Sequence, residues 1–329
     1  IALKPSHELV STDLLPDEPD PAQIFVPNDL TEQPIPSGLT TAEIQENFLA
    51  ELQALPPSRL KETAWRAYLS LLAPAVPDIP DLHVLRAASL GQLGHLVAAA
   101  RWQDGRMTAV CGSADSGSCS VDLDWDGQPE IIFGSEHFFS VFETNGGWLT
   151  VAFLRDAGQV HQVIGPSWQF TVGLSDPTLW DIGRGAAGDP GQLPGAFADI
   201  LAGYAAPDWT PYQPSLSAQT LTFVSADRKI QKTIHFTTRG LFVDYLSTQP
   251  VRVQIPLVID PWLRFTPGWG EDYRGTNNAN SLTWGVTKGI QVLVQTSGEL
   301  TTHTFADSHP SILLAEDPNL AYPLGHYLP

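Results

Sequence analysis

Asp122, Asp124 and Asp126 stand at alternate positions and are followed by Gly127, Gln128 and Glu130. Counted from Asp122, carboxylates fall at positions 1, 3, 5 and 9, and Gln128 at position 7 can add its backbone carbonyl. Ca²⁺ takes about six to eight oxygens, and a glycine after the third aspartate permits the sharp turn that aims them at one point. Position 12 is Phe133, where an EF-hand needs a bidentate glutamate, so the stretch looks instead like the Asp-x-Asp-x-Asp-Gly loops that join strands in calcium-binding β proteins. The same residues also make an acidic β-turn with Asx caps. Both readings stay open. The calcium reading makes Asp122, Asp124, Asp126, Gln128 and Glu130 ligands of a structural ion.

Cys111 and Cys119 are the two cysteines of the chain. Their hairpin spacing reads as one local disulfide made in an oxidising compartment, hence an extracellular, cell-surface or periplasmic location. Closing so short a loop contributes roughly 2.5 kcal/mol. Two free thiols are the alternative; a zinc site lacks both a Cys-x-x-Cys pair and a nearby histidine pair.

The aromatic residues Trp168, Trp180, Trp262, Trp269 and Tyr273 sit among Gly, Pro and Asp. Flat rings with a polar edge suit sugar faces, whereas most tryptophans fill cores or pin loops. Asp260 to Trp269 is the best organised of these surfaces, with Arg264 able to stack on Trp262 or Trp269 or to pair with Asp260. Catalytic templates match poorly. The chain has no Gly-x-Ser-x-Gly elbow, no His-Glu-x-x-His and no glycine-rich phosphate loop. The 9 histidines are scattered, and no residue is assigned as catalytic.

These residues need elements to position them. Charged residues are only 16% of the 329, against 28 prolines, 27 glycines and 10 tryptophans. That profile favours turn-dense β structure over helical bundles and excludes disorder. A net charge of −19 excludes nucleic acid and anionic membrane surfaces as partners. No apolar run approaches the length of a membrane span.

Residues 1–39, punctuated by Pro and Asp, read as an extended acidic arm or linker. Residues 40–104 read as about three helices. Thr40 to Glu43 has capping-box form ahead of a stripe of Ile44, Phe48, Leu49, Leu52 and Leu55. A second stripe holds Leu60, Ala64, Trp65, Tyr68 and Leu72, and a third helix spans about Asp81 to Gln103. Residues 105–329 read as an antiparallel β-sandwich. Alternating β-branched and aromatic runs, beginning with Met107 to Cys111, are separated by turn residues. Asn145-Gly146-Gly147 and Lys288-Gly289 mark hairpins, and Ser175 to Pro214 reads as a long excursion. The expected class is α+β, mainly β: a short helical segment, then a large two-layer antiparallel β-sandwich.

Three passages carry a family resemblance. Glu62-Thr63-Ala64-Trp65, then Leu85-Arg86-Ala87-Ala88 leading to Ala98-Ala99-Ala100-Arg101-Trp102, then Asp122 to Glu130 with Phe138 to Phe142 and Asn145-Gly146-Gly147, resemble in order the region after the catalytic barrel of family-57 glycoside hydrolases. The resemblance covers roughly residues 60–329. It departs at Arg66, where such proteins often carry His, and no part of the chain can hold the barrel with its nucleophile and acid. The resemblance implies α-glucan chemistry for a whole protein and only the accessory portions for this chain.

The expected function is therefore the non-catalytic C-terminal portion of an extracellular carbohydrate-active protein that supports or binds glycans of α-glucan type. An extracellular structural or assembly protein, with residues 1–39 reaching a neighbouring subunit of a homo-oligomer or another partner, is the alternative. A standalone enzyme is the third reading. The start at Ile1 reads as that of a processed chain or fragment of a longer product.

Overall fold

The computed structural model describes residues 41–71, 80–112, 117–123, 125, 128–156, 158–164, 196–201, 211–217, 219–248, 250–258, 276–278, 281–287, 290–296, 301–304, 312–320 and 324–328. Three helices come first: α1 (Thr41–Ala54), α2 (Arg59–Leu71) and α3 (Pro80–Cys111). The expected stripes are the buried faces. Ile44, Phe48 and Leu52 of α1, Leu55 just after it, and Leu60, Ala64, Trp65 and Tyr68 of α2 are in the core. Ser58 starts α2 as its cap, its Oγ accepting from Lys61 N at 3.1 Å, which satisfies one of the orphan donors of the first turn.

The third helix corrects the sequence reading. Met107–Cys111 was expected to be a strand, and the helical segment was expected to end near residue 104; instead α3 runs unbroken to Cys111. A short apolar run has no decisive period of its own, so the tertiary contacts settle it. Met107 is buried against the sheet, and Cys111 is bonded to Cys119. Gly112 then stops the helix in the left-handed conformation, φ 71, with its N–H on Thr108 O at 3.0 Å.

The strands in chain order are β1 (Ser118–Val121), β2 (Glu130–Gly134), β3 (Phe138–Phe142), β4 (Leu149–Asp156), β5 (Gln159–Ile164), β6 (Ala198–Leu201), β7 (Gln213–Leu216), β8 (Thr220–Val224), β9 (Ile230–Phe236), β10 (Leu241–Ser247), β11 (Val251–Val258), β12 (Thr276–Asn278), β13 (Ser281–Thr287), β14 (Ile290–Thr296), β15 (Thr301–Thr304), β16 (Ile312–Leu320) and β17 (Leu324–Leu328). They form two sheets. A nine-stranded sheet has the order β1-β2-β3-β4-β5-β11-β16-β15, with β6 also paired to β11; an eight-stranded sheet has the order β12-β13-β14-β17-β10-β9-β8-β7. Every described pairing is antiparallel. The class expected from sequence, α+β and mainly β, is the one observed. Strand β6 lies inside the stretch Ser175 to Pro214 expected to be a long excursion, and β7 begins at its end, so that expectation is corrected for Ala198–Leu201 and for Gln213 and Pro214. Both are only four residues long, too short for alternation to show in the sequence.

The helices add a third layer that the two-layer expectation omitted. One core lies between the sheets, where Phe133, Phe142 and Val253 of the first meet Phe223, Phe236 and Val243 of the second. The other lies between the helices and the outer face of the first sheet, where Phe48, Tyr68 and Trp102 meet Ile132, Phe139, Val151 and Phe153. Hence β2 and β3 are buried at every residue, while β9 alternates buried with half-buried, as a strand covered on both faces must differ from one with a wet face.

Trp102 is the main fastener of the helix layer. Its ring stacks on Phe139 with centroids 5.4 Å apart, and its Nε1 donates to Ser135 O at 2.9 Å. Arg155 of β4 lies 4.2 Å over the same ring and donates to Trp102 O at 2.7 Å and Gln103 O at 3.2 Å.

Candidate functional site

Pairing of Val121 with Glu130 closes the acidic loop between β1 and β2. Within it Asp124, Asp126 and Gly127 lie outside the described residues. Asp122 and Gln128 are half-buried, and Glu130 is fully buried. Glu130 Oε2 accepts from Leu123 N at 2.5 Å, so this carboxylate already braces the loop from within by a charge-assisted bond. Among the described residues no group of three or more His, Cys, Asp or Glu is spaced to hold a metal ion. The disulfide expected between Cys111 and Cys119 is present, and it ties the end of α3 to β1 beside the loop.

Trp125, in the middle of the acidic run, turns inward. Its backbone is left-handed, φ 58, and its ring packs at 4.7 Å on Phe48 of α1. A side chain with a Cβ adopts this conformation only where surrounding contacts outweigh its cost. The loop is thereby clamped to the helix layer.

Next to the loop is a polar seam that sequence reading did not single out. Ile131 pairs with Phe142, so Glu130 and Glu143 are neighbours across the two strands, one step further out. Phe142 faces the inter-sheet core, and alternation turns Glu143 toward the helices. There His95 of α3 lies with Nε2 3.8 Å from Glu143 Oε1, the histidine side chain 3% exposed and the glutamate 21%. Neither ring nitrogen of His95 makes a hydrogen bond among the described residues. Burial pulls the His95 pKa down to about 4, because the interior penalises the imidazolium. His95 is therefore neutral at physiological pH. The signal for it was weak: a histidine in helical phase with Ala98, Ala99 and Trp102 on a helix of small and apolar residues.

A second buried polar group lies between the sheets, where Lys232 of β9 and Asp199 of β6 form an ion pair at 2.6 Å, 0% and 1% exposed. Its signal was legible, since Lys232 falls in phase with Ile230, Ile234 and Phe236 on an alternating strand.

The aromatic candidates Trp168, Trp180, Trp262, Trp269 and Tyr273, together with Arg264, lie outside the described residues. Trp65 and Trp102, by contrast, belong to the helix–sheet core. Among the described residues of the three family-resembling passages, Ala64, Trp65, Ala98 to Ala100, Trp102, Glu130 and Phe138 to Phe142 are buried, while Glu62, Arg101, Asp122 and Gln128 are half-buried. Their chemistry is the fastening of one layer on another. No helix is long and apolar enough to cross a membrane among the described residues.

No known family profile matches the chain, and no curated protein matches it in sequence. Among solved structures the chain is similar to a 4-α-glucanotransferase of Thermococcus litoralis, at 14% identity and a TM-score of 0.45, covering 88% of this chain and 51% of that one. It is similar to heparan sulfate lyase HepC of Pedobacter heparinus, at 10% identity and a TM-score of 0.38, over 92% of this chain and 53% of that one. It is also similar to the periplasmic domain of Thermotoga maritima YidC, at 14% identity and a TM-score of 0.32, over 58% and 84%. The chain thus spans about half the length of the glucanotransferase and of the lyase. At these scores the likeness is one of overall β architecture at most.

Proposed function

We propose that this chain is the accessory portion of an extracellular carbohydrate-active protein of family-57 glycoside hydrolase type, supporting or binding α-glucan-like chains. The observation that carries the reading is the ordered set of family-resembling passages, each of which contributes a residue to the seam between helices and sheet. Trp65 and Trp102 come from the helices, and Glu130 and Phe139 from the first sheet, all buried where the helix layer lies on β1–β4. On this reading the seam is the rigid scaffold, and Trp168, Trp180, Trp262, Trp269 and Tyr273, outside the described residues, are the rings that meet the glycan. The intramolecular disulfide is compatible with the extracellular setting.

Titration with maltooligosaccharide tests this. Quenching or a blue shift of tryptophan emission at millimolar sugar is the supporting result, and an unchanged spectrum counts against the reading. We further propose that the acidic loop holds a structural Ca²⁺ through Asp122, Asp124, Asp126, Gln128 and Glu130. A chelator is then expected to lower the melting temperature, and equal melting with and without it removes the ion from the account.

A further inference from the structure

Lys232 Nζ is enclosed by oxygens. It donates to Gly146 O at 2.7 Å, Gly147 O at 3.0 Å and Phe197 O at 2.7 Å, and it meets Asp199 Oδ2 at 2.6 Å. The Tyr212 ring lies with its centroid 5.0 Å away, and Tyr212 OH donates to Asp199 Oδ2 at 3.3 Å. Four oxygens exceed the three N–H bonds of an ammonium. They form a shell of the kind that replaces water around a cation.

The backbone is shaped for this. Gly146, Gly147 and Phe197, whose three carbonyls converge on the nitrogen, have φ of 65, 59 and 64. All three are left-handed, and for Phe197 that conformation is costly. The carbonyls come from two separate segments of the first sheet, the β3–β4 turn and the approach to β6, while Lys232 comes from the second sheet. Without a positive charge between them, these buried oxygens would be desolvated and mutually repelling. Burial pushes the Asp199 carboxyl up, and the Lys232 charge with hydrogen bonds from Lys232, Tyr245 and Tyr212 pulls it back.

We propose that these four oxygens are a cation-binding site between the two sheets, that the protein's own Lys232 ammonium is its resident ion, and that the site takes a free primary alkylammonium ion once the lysine stem is removed. The single charge of Asp199 matches a monovalent ion, and the distances of 2.7, 3.0, 2.7 and 2.6 Å to the four oxygens are those of N–H···O bonds. A quaternary ammonium therefore fails to bind, for lack of donors. The site is independent of the glycan reading and stands or falls apart from it.

The test is thermal unfolding of Lys232→Ala, which removes the atoms of n-propylammonium. Alone, the variant should melt on the order of 10 °C below the parent, the loss expected from breaking a buried ion pair in a domain of this size. n-Propylammonium chloride should restore several degrees to the variant and none to the parent, and tetramethylammonium chloride at equal concentration should restore none. Equal responses to the two salts, or a variant that melts with the parent, overturn the proposal. If Lys232→Ala fails to fold, NMR of the parent labelled with ¹⁵N-lysine decides. One slowly exchanging lysine ammonium persisting above pH ~10.4, the ordinary lysine value, supports the site, and its absence overturns it.

Discussion

Acid should loosen this protein through His95 in a way that a non-titrating side chain abolishes. Burial holds the His95 pKa near 4, against an ordinary value of 6.5. The folded pKa of a base is thus below its unfolded value. As pH falls through 6.5 the unfolded chain takes up the proton first, so stability drains away until the folded state also protonates near pH 4. The full linkage is on the order of 3 kcal/mol, most of it already lost at about pH 4.5. Glu143, 3.8 Å away, pulls in the opposite direction. Burial prevails because the glutamate is partly in water, which screens it, while the imidazole is not.

The perturbation is His95→Gln, and the assay is urea unfolding followed by circular dichroism at about pH 7.5 and 4.5. Many carboxylates titrate in that window, and comparison with the variant cancels them. The parent should lose about 2–3 kcal/mol more than the variant between the two pH values. A parent that loses less than the variant would mean that Glu143 governs the imidazole, and the burial argument would be refuted.

Two further outcomes are expected. A Cβ on Gly134 would sit 2.1 Å from Met107 Sδ, so Gly134→Ala should cost about 1–3 kcal/mol through overpacking. The same change in a Met107→Ala background should cost much less, and strict additivity in denaturant melts would show that the contact is not the cause. Reducing Cys111–Cys119 frees the end of α3 from β1 and should cost roughly 2.5 kcal/mol; an unchanged melting temperature in reductant would mean that helix packing alone holds that end.

Much of the fold was legible from local periodicity. The apolar stripes of α1 and α2, the alternation of β8–β10 and the Asn145-Gly146-Gly147 turn are each properties of a few neighbouring residues. The disulfide was legible from spacing. Met107–Cys111 was not, because a five-residue run of mostly apolar side chains packs equally well as a strand or as the last turn of a helix until Gly134 and Cys119 are in place.

The candidate site divides in the same way. The acidic loop can be read from its spacing, but the inward turn of Trp125 onto Phe48 depends on a helix more than seventy residues earlier in the chain. His95 and Lys232 look like ordinary surface residues by type.

The sequence by itself determined α1, α2 and the inward phase of alternating strands such as β8–β10, because side-chain alternation and helical stripes are local. Only the tertiary structure decided that a helix layer covers the first sheet, making β2 and β3 buried on both faces and His95 neutral. It also decided that the inward lysine of β9 meets Asp199 and three left-handed carbonyls. Charge burial and carbonyl convergence depend on which distant segments face one another, and no local pattern carries that information.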